Sequence, residues 1–163
     1  MVQEYAVKKL DIAQLSDALN LVWKVFLEFE APDYCEEGID EFRRFIEYES
    51  IKARLEKSQY KMWCCFDQDR IVGVIATRPP LHISLLFVDR QYHRRGIARK
   101  MLEEVIAFYS KSDTCHEITV NSSPYAAQVY HRLGFEDTDA EQTVNGIRYI
   151  SMKRMLHGFS ELK

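Results

Sequence analysis

Apolar residues at Ile12, Leu15, Leu19, Val22, Phe26 and Phe29 recur three and four positions apart, the spacing of one helix face. The spacing predicts a helix that opens at Asp11, whose carboxylate can accept from the free N–H groups of the first turn, and ends at Pro32. Leu21, Trp23, Val25 and Leu27 lie off that face in the second half, giving the helix more apolar surface than one core needs. Ahead of it, QEYAVKKL alternates weakly and reads as a short strand. A second amphipathic segment runs from about Gly38 to Glu56, with a break expected near Ser50.

Beyond Gln59 the period changes from helical to extended. YKMWCCF and RIVGVIAT read as strands joined by the hairpin signal DQDR, and PPLHISLLFV as a further strand opening after Pro79 and Pro80, which cannot sit in a central ladder. Helical spacing returns with Ile97, Met101, Leu102, Val105, Ile106 and Tyr109. HEITVN is another strand. SPYAAQVYHRLGF follows as a helix, with Ser123 as cap, Pro124 at its first position and Gly134 as its stop. TDAEQTV and IRYISMKRM flank Asn145-Gly146, a type I′ hairpin signal. Strands and helices in this mixed order predict a mixed sheet with helices on both faces. With no repeat and no linker, residues 1–163 are expected to form a single domain.

Composition narrows the function classes. A chain of 163 residues with 47% hydrophobic and 29% charged residues, six glycines and four prolines is neither low-complexity nor disordered in character. A net charge of −3 argues against a nucleic-acid partner. The longest apolar runs are interrupted by charge and too short to span a bilayer, and MVQEYAVKKL lacks the basic-then-apolar order of a signal peptide, so a cytoplasmic protein with no membrane role is expected. Cys35, Cys64, Cys65 and Cys115 show neither CxxC pairing nor histidines at ligand spacing. They read as reduced thiols, Cys64 and Cys65 on opposite faces of one strand, and no metal is expected.

The stretch QYHRRGIARKML turns a buried strand into a helix through two arginines and one glycine. Successive N–H groups in such a turn, backed by the positive end of the helix, form an anion cradle. Gly96 and Ala98 keep it open, and Arg94, Arg95 and Arg99 add charge, which suits a diphosphate. By itself the stretch is equally compatible with a solvated basic helix start. Neither GxGxxG nor GxxxxGK[ST] occurs, which argues against a nucleotide-binding loop.

Tyr130, in VYHRLGF, lies thirty-four residues beyond Gly96. The order of strand, RRGIA helix, strand ending in Asn121 and helix closing with YxxLGF resembles the GCN5-related N-acetyltransferase (GNAT) family. That family's [QR]xxGx[GA] turn is matched by His93-Arg94-Arg95-Gly96-Ile97-Ala98, with His93 replacing the usual Gln or Arg. The resemblance runs from WCCF to SMKRM. It implies the family's α/β (α+β) fold, with a mixed, mostly antiparallel six- to seven-stranded sheet, and acetyl-CoA as co-substrate. It also implies an N-acetyltransferase acting on a primary amine of a small molecule, protein or peptide, by direct attack in a ternary complex. The same resemblance places coenzyme A along residues His93 to Arg99 and against backbone N–H groups at Leu86, Phe87 and Val88, where the strand splays at a bulge. Such donors form an oxyanion hole. Asn121 is a candidate contact to the pantetheine arm, with a plain strand-end role as its alternative.

Tyr130 matches the family position that protonates the departing thiolate, although Ala126, Val129, Tyr130 and Leu133 also form a core stripe. His82 matches a strand position where members place a base, with water as the alternative, and strict alternation would set His82, Ser84 and Leu86 on one face. His93, His116, His131 and His157 otherwise read as surface or loop residues. The segment EFEAPDYCEEGIDE carries Glu28, Glu30, Asp33, Glu36, Glu37, Asp40 and Glu41 without a single Lys or Arg. It is either a solvated face or a lip that attracts a cationic amine, with Trp23, Phe26, Phe29 and Tyr34 supplying cation–π contact. An acyl-CoA-binding sensor without turnover is the alternative function. Monomer and homodimer both remain open, as do acetyl and longer acyl donors.

Overall fold

A computed structural model describes residues 3–112 and 114–156. Strand β1 (Ala6–Lys9) leads into a capped turn in which the Asp11 carboxylate accepts from the Ala13 N–H and the Gln14 side chain accepts from the Asp11 N–H. Helix α1 (Leu15–Phe29) follows and gives way to a short 3₁₀ turn at Ala31–Asp33, where Pro32 cannot continue the α-helical ladder. The second amphipathic segment is two helices, α2 (Glu36–Phe45) and α3 (Tyr48–Glu56). Their break falls at Ile46–Glu47, not near Ser50: Ile46 is buried, Glu47 is extended, and Ser50 sits in the first turn of α3, where serine is well tolerated.

The antiparallel meander β2 (Lys61–Asp67), β3 (Arg70–Arg78) and β4 (His82–Val88) forms the centre of the molecule. Helix α4 (Ile97–Tyr109) crosses to β5 (Glu117–Ser122), which lies parallel to β4. Helix α5 is shorter than its sequence pattern, Ala127–Arg132. The Ser123 hydroxyl does cap, but it accepts from the Ala126 N–H of the turn that precedes the helix. Strands β6 (Glu136–Asp137), β7 (Gln142–Val144) and β8 (Ile147–Met155) complete a sheet of order β1-β2-β3-β4-β5-β8-β6, with β7 also on β8. The sheet thus has eight strands rather than the expected six or seven. The additional strand is β6, a two-residue segment that pairs only with β8 and carries no apolar run of its own. Asn145 and Gly146 take φ of 52° and 78°, as a type I′ hairpin requires.

Each face of the sheet buries its own core. On one side α4 and α5 cover Ile83, Ile97, Met101, Leu102, Val105, Ile118 and Leu133. On the other α1, α2 and α3 cover Leu15, Val22, Phe26, Ile51, Met62 and Leu85. Cys64 joins the second core and its neighbour Cys65 the first, as alternation demands, and burial pushes the Cys64 thiol up to about 12. The extra apolar surface of α1 is used by the following helix: Phe26 stacks on Phe42 at 4.1 Å between ring centroids, and Trp23 lies under the Arg43 guanidinium at 4.8 Å.

Helix α2 meets the β7–β8 hairpin at a close backbone contact. A Cβ at Gly38 would overlap the carbonyl oxygen of Gly146, a group fixed in its turn. Overpacking of this kind costs about 1–3 kcal/mol, and the two backbones here have no flexible side chain to displace. Gly38→Ala should therefore lower the melting temperature by several degrees, at roughly 2–4 °C per kcal/mol for a chain of this size. An unchanged melting curve would show that α2 can lift from the hairpin at no cost.

Candidate active site

The parallel ladder between β4 and β5 is only two residues long, His82 opposite Thr119 and Ile83 opposite Val120. Immediately afterwards β4 carries an extra residue: Ala76 faces Leu85 and Thr77 faces Ile83, leaving Ser84 as a bulge. The bulge also switches the faces of the strand. Ile83 packs into the core beneath α4, whereas Leu85 and Phe87 pack into the core beneath α1. The strict alternation that groups His82 with Leu86 therefore does not hold across Ser84. From the bulge to Val88 the β5-facing edge of β4 is free of strand partners, and two cavities open along it.

One cavity, of about 450 Å³, runs between that edge and the turn leading into α4. His93, Arg94, Gly96, Ile97, Ala98 and Arg99 border it, together with Leu86, Phe87, Val88 and Tyr130. Arg94 and Gly96 both hold positive φ, 63° and 75°, the alternation that aims backbone N–H groups into a common concavity. Gly96 is needed for this conformation rather than for space, since a Cβ there would meet no protein atom within 4 Å. No acidic side chain lies in the first turn of α4. Arg95 is the exception among the basic residues of the turn: its guanidinium donates to the Tyr5 hydroxyl at 2.9 Å and lies over the Tyr92 ring, away from the cavity. His93 is engaged with the protein itself, its Nε2 2.7 Å from the Val88 carbonyl and its ring against Phe29.

The second cavity, of about 320 Å³, lies on the other side of the opening. Phe42, Phe45, Tyr34 and Tyr60 from the first half of the chain face His82, Ser84 and Arg78 from the sheet. Asn121 borders this cavity and not the first, and its side-chain oxygen accepts from the Ser151 hydroxyl. His82 is half-buried, with Nδ1 2.8 Å from Thr119 Oγ1; burial, helped by the Arg78 charge, lowers its pKa to about 4. The Ser84 hydroxyl is buried without a hydrogen-bond partner.

Glu30, Leu86, Phe87, Ala126 and Tyr130 border both cavities. Tyr130 is buried, with its ring edge-on to Phe135, and desolvation pushes its phenol far above the ordinary value, so it remains protonated. Glu30 was legible in the sequence only as one member of an acidic run. In the structure that run divides. Glu28 pairs with Arg90, Glu41 pairs with Arg44 at the rim of the second cavity, and Glu30 alone projects between the cavities. Its carboxylate accepts from Ser123 Oγ at 2.8 Å, and burial raises its pKa to about 7. The sequence did hold a signal for this, because Glu30 lies four positions beyond Phe26 on the apolar stripe of α1. Among the remaining histidines His116 and His131 are exposed, and His157 lies outside the described residues.

A family model described as an acetyltransferase (GNAT) domain matches residues 30–156. The uncharacterized N-acetyltransferase YafP of Escherichia coli strain K12 is 38% identical over 85 residues, a match covering 52% of this chain and 51% of that protein. The chain thus spans about half the length of the curated relative it matches. A GCN5-related N-acetyltransferase from Rhodopseudomonas palustris superposes with a TM-score of 0.81 at 19% identity, over 96% of this chain and 99% of that one. PaiA N-acetyltransferase from Thermoplasma acidophilum, solved with coenzyme A, superposes with a TM-score of 0.78 at 17% identity, over 94% and 99% of the two chains. At these identities the structural likeness is one of fold.

The environment of His82 has a direct readout. Its imidazole resonances should stay at their neutral positions between about pH 5 and pH 8, the range in which an ordinary histidine titrates, and move only near pH 4. A histidine whose folded pKa lies below its usual 6.5 contributes stability that is present above that value and is lost as the pH falls toward 4. Titration of His82 near 6.5 would show that its side of the cavity is open to water.

Proposed function

The chain belongs to the GNAT acetyltransferase domain family, and from this we propose that it is an N-acetyltransferase that moves an acetyl group from acetyl-CoA to an amine, with both substrates bound together. The observation that carries the reading is the parting of β4 from β5, where a cavity beside a nest-like basic turn meets a cavity walled by aromatic and acidic residues. The family match over residues 30–156 supports reading residues 1–163 as one such domain. No helix among the described residues is long and apolar enough to cross a membrane, and the free thiols Cys35, Cys64, Cys65 and Cys115 suit a reducing, cytoplasmic setting.

The residues present fit coenzyme A. The diphosphate would sit on the turn from His93 to Arg99, held by backbone N–H groups and by the side chains of Arg94 and Arg99, the two arginines of the turn that face the cavity. His93 would contribute by fixing the end of β4 through the Val88 carbonyl, and Arg95 by fixing the turn to β1 through Tyr5. The unpaired edge at Leu86, Phe87 and Val88 would receive the peptide-like pantetheine arm as an added strand. Asn121, on the acceptor side, would orient the amine substrate rather than the arm. Acetyl-CoA supplies the reactive thioester and a thiolate leaving group.

Backbone N–H groups along the same edge would stabilise the oxyanion that develops on the acetyl carbonyl. Tyr130, protonated and bordering both cavities, would deliver the proton that the leaving thiolate needs. His82 is neutral at physiological pH and bonded to Thr119, which leaves it a weak proton acceptor on the wall of the amine cavity. Glu30 and Glu41 favour a cationic amine there, and the aromatic walls favour one with an apolar body.

Two variants test the donor side. Gly96→Val places a branched side chain at a left-handed position and directs it into open space beside the proposed diphosphate. Acetyl-CoA affinity measured by calorimetry should fall by about tenfold or more, equivalent to roughly 1.4 kcal/mol, with an unchanged far-ultraviolet circular dichroism spectrum. Unaltered affinity would remove the turn from the donor site. Tyr130→Phe should reduce turnover by about 10²–10⁴-fold, the range for a general acid, while sparing acetyl-CoA binding. Full turnover in that variant, with chemistry rate-limiting, would reduce Tyr130 to a core residue.

A further inference from the structure

We propose that Glu30 is the group that accepts the proton of the incoming amine, a role in which it replaces His82; this rests on the acetyl-transfer reading above. Glu30 belongs with Leu86, Phe87, Ala126 and Tyr130 to the small set bordering both cavities, so an amine bound to it already lies beside the open strand edge and the proposed proton donor. One carboxylate oxygen, Oε1, accepts from Ser123 Oγ, and no Lys or Arg among the described residues pairs with the group. A carboxylate desolvated without a cation is costly unless a ligand completes it. An ammonium ion facing the cavity would do so through the free oxygen.

The charges around Glu30 set its protonation. Desolvation raises its pKa to about 7, the Ser123 hydrogen bond opposes this, and the Asp33 carboxylate adds to it. From the connection after α1, Tyr34 approaches with its hydroxyl donated to the Arg148 carbonyl on β8, and from α5 Tyr130 approaches as a neutral phenol. Across the amine cavity stand neutral His82, Arg78 and, at the rim, Glu41; on the donor side stand His93 and Arg94. Of the two candidate bases, the one at about 7 is matched to work near neutrality, and the one at about 4 is not.

The proton and electron balance is simple. The bound ammonium gives one N–H proton to the Glu30 carboxylate, and the freed lone pair forms the C–N bond at the thioester carbonyl. The C–S bond breaks with its electron pair on sulfur, which takes the Tyr130 proton. The amide nitrogen loses its second proton to solvent, and Glu30 and Tyr130 return to their starting states by exchange with water.

The first test needs no acceptor. In protein labelled with ¹³C at glutamate side-chain carboxyls, the resonance absent from Glu30→Gln should titrate near pH 7; titration in the ordinary carboxylate range overturns the proposal. The second follows coenzyme A release with phenethylamine and spermidine as probe amines. In Glu30→Gln, kcat/KM at neutral pH should fall by about 10²–10⁴-fold and the acidic limb of its pH profile should vanish, with acetyl-CoA affinity held within about twofold. Ser123→Ala removes the bond that lowers the Glu30 pKa, so the limb should move to higher pH. His82→Asn should leave the limb where it is. A limb that survives in Glu30→Gln, or that stays in place in Ser123→Ala, overturns the Glu30 assignment alone. Wild-type protein that binds no acetyl-CoA, or binds it and releases no coenzyme A with either amine, overturns the acetyl-transfer reading instead.

Discussion

The site depends on one backbone event: after two paired residues, β4 leaves β5 and does not return. A sheet normally satisfies every strand edge, and an unpaired edge in the middle of one needs both a cause and a replacement partner. The cause is the extra residue at Ser84, which bends β4 and reverses which side chains meet which core. The replacement is a pair of cavities rather than another strand. Everything of chemical interest borders that opening: the basic turn that follows β4, the tyrosine on α5, and the carboxylate at the end of α1.

Burial acts on the titratable groups of the opening with one rule and opposite consequences. It disfavours charge, so it lifts Glu30 to about 7 and drops His82 to about 4. Their contributions to stability have opposite signs. A raised carboxyl favours the folded state most below its usual 4.5 and loses that benefit as pH rises through 7, whereas the depressed histidine loses its benefit as pH falls. Between these values the two trends oppose each other, so a flat stability profile near pH 5–6 would conceal two strongly perturbed groups.

The amine cavity is built largely by elements remote in sequence from the basic turn. Phe42 and Phe45 on α2 line it from one side, and Ile147 enters from the β7–β8 hairpin. The hairpin is locked to the helices by the Gly38–Gly146 contact, by the Tyr34 hydroxyl donated to the Arg148 carbonyl, and by the Arg148 guanidinium donated to the Asp33 carbonyl at 2.9 Å. Cavity shape is therefore coupled to how α2 sits on the hairpin, while the basic turn is shaped locally by two left-handed residues.

Local patterns in the chain determined most of the elements, because helix and strand periods, Asp11 and Asn145-Gly146 act over a few residues through backbone hydrogen bonding. The same locality made the Arg94–Gly96 turn and the Tyr130 helix visible, and with them the family resemblance. What only the tertiary structure decided involves residues brought together over long separations or a change in strand parity. The bulge at Ser84 broke the alternation assumed for His82, since no apolar period records an inserted residue in a strand buried on both faces. Arg95 turned toward Tyr5, ninety positions away, instead of the cavity. Glu30 left its acidic run to bond Ser123 from the opposite half of the chain, with ninety-three positions between them. Its chemistry follows from that burial, and burial is a property of the packed chain rather than of any short stretch of it.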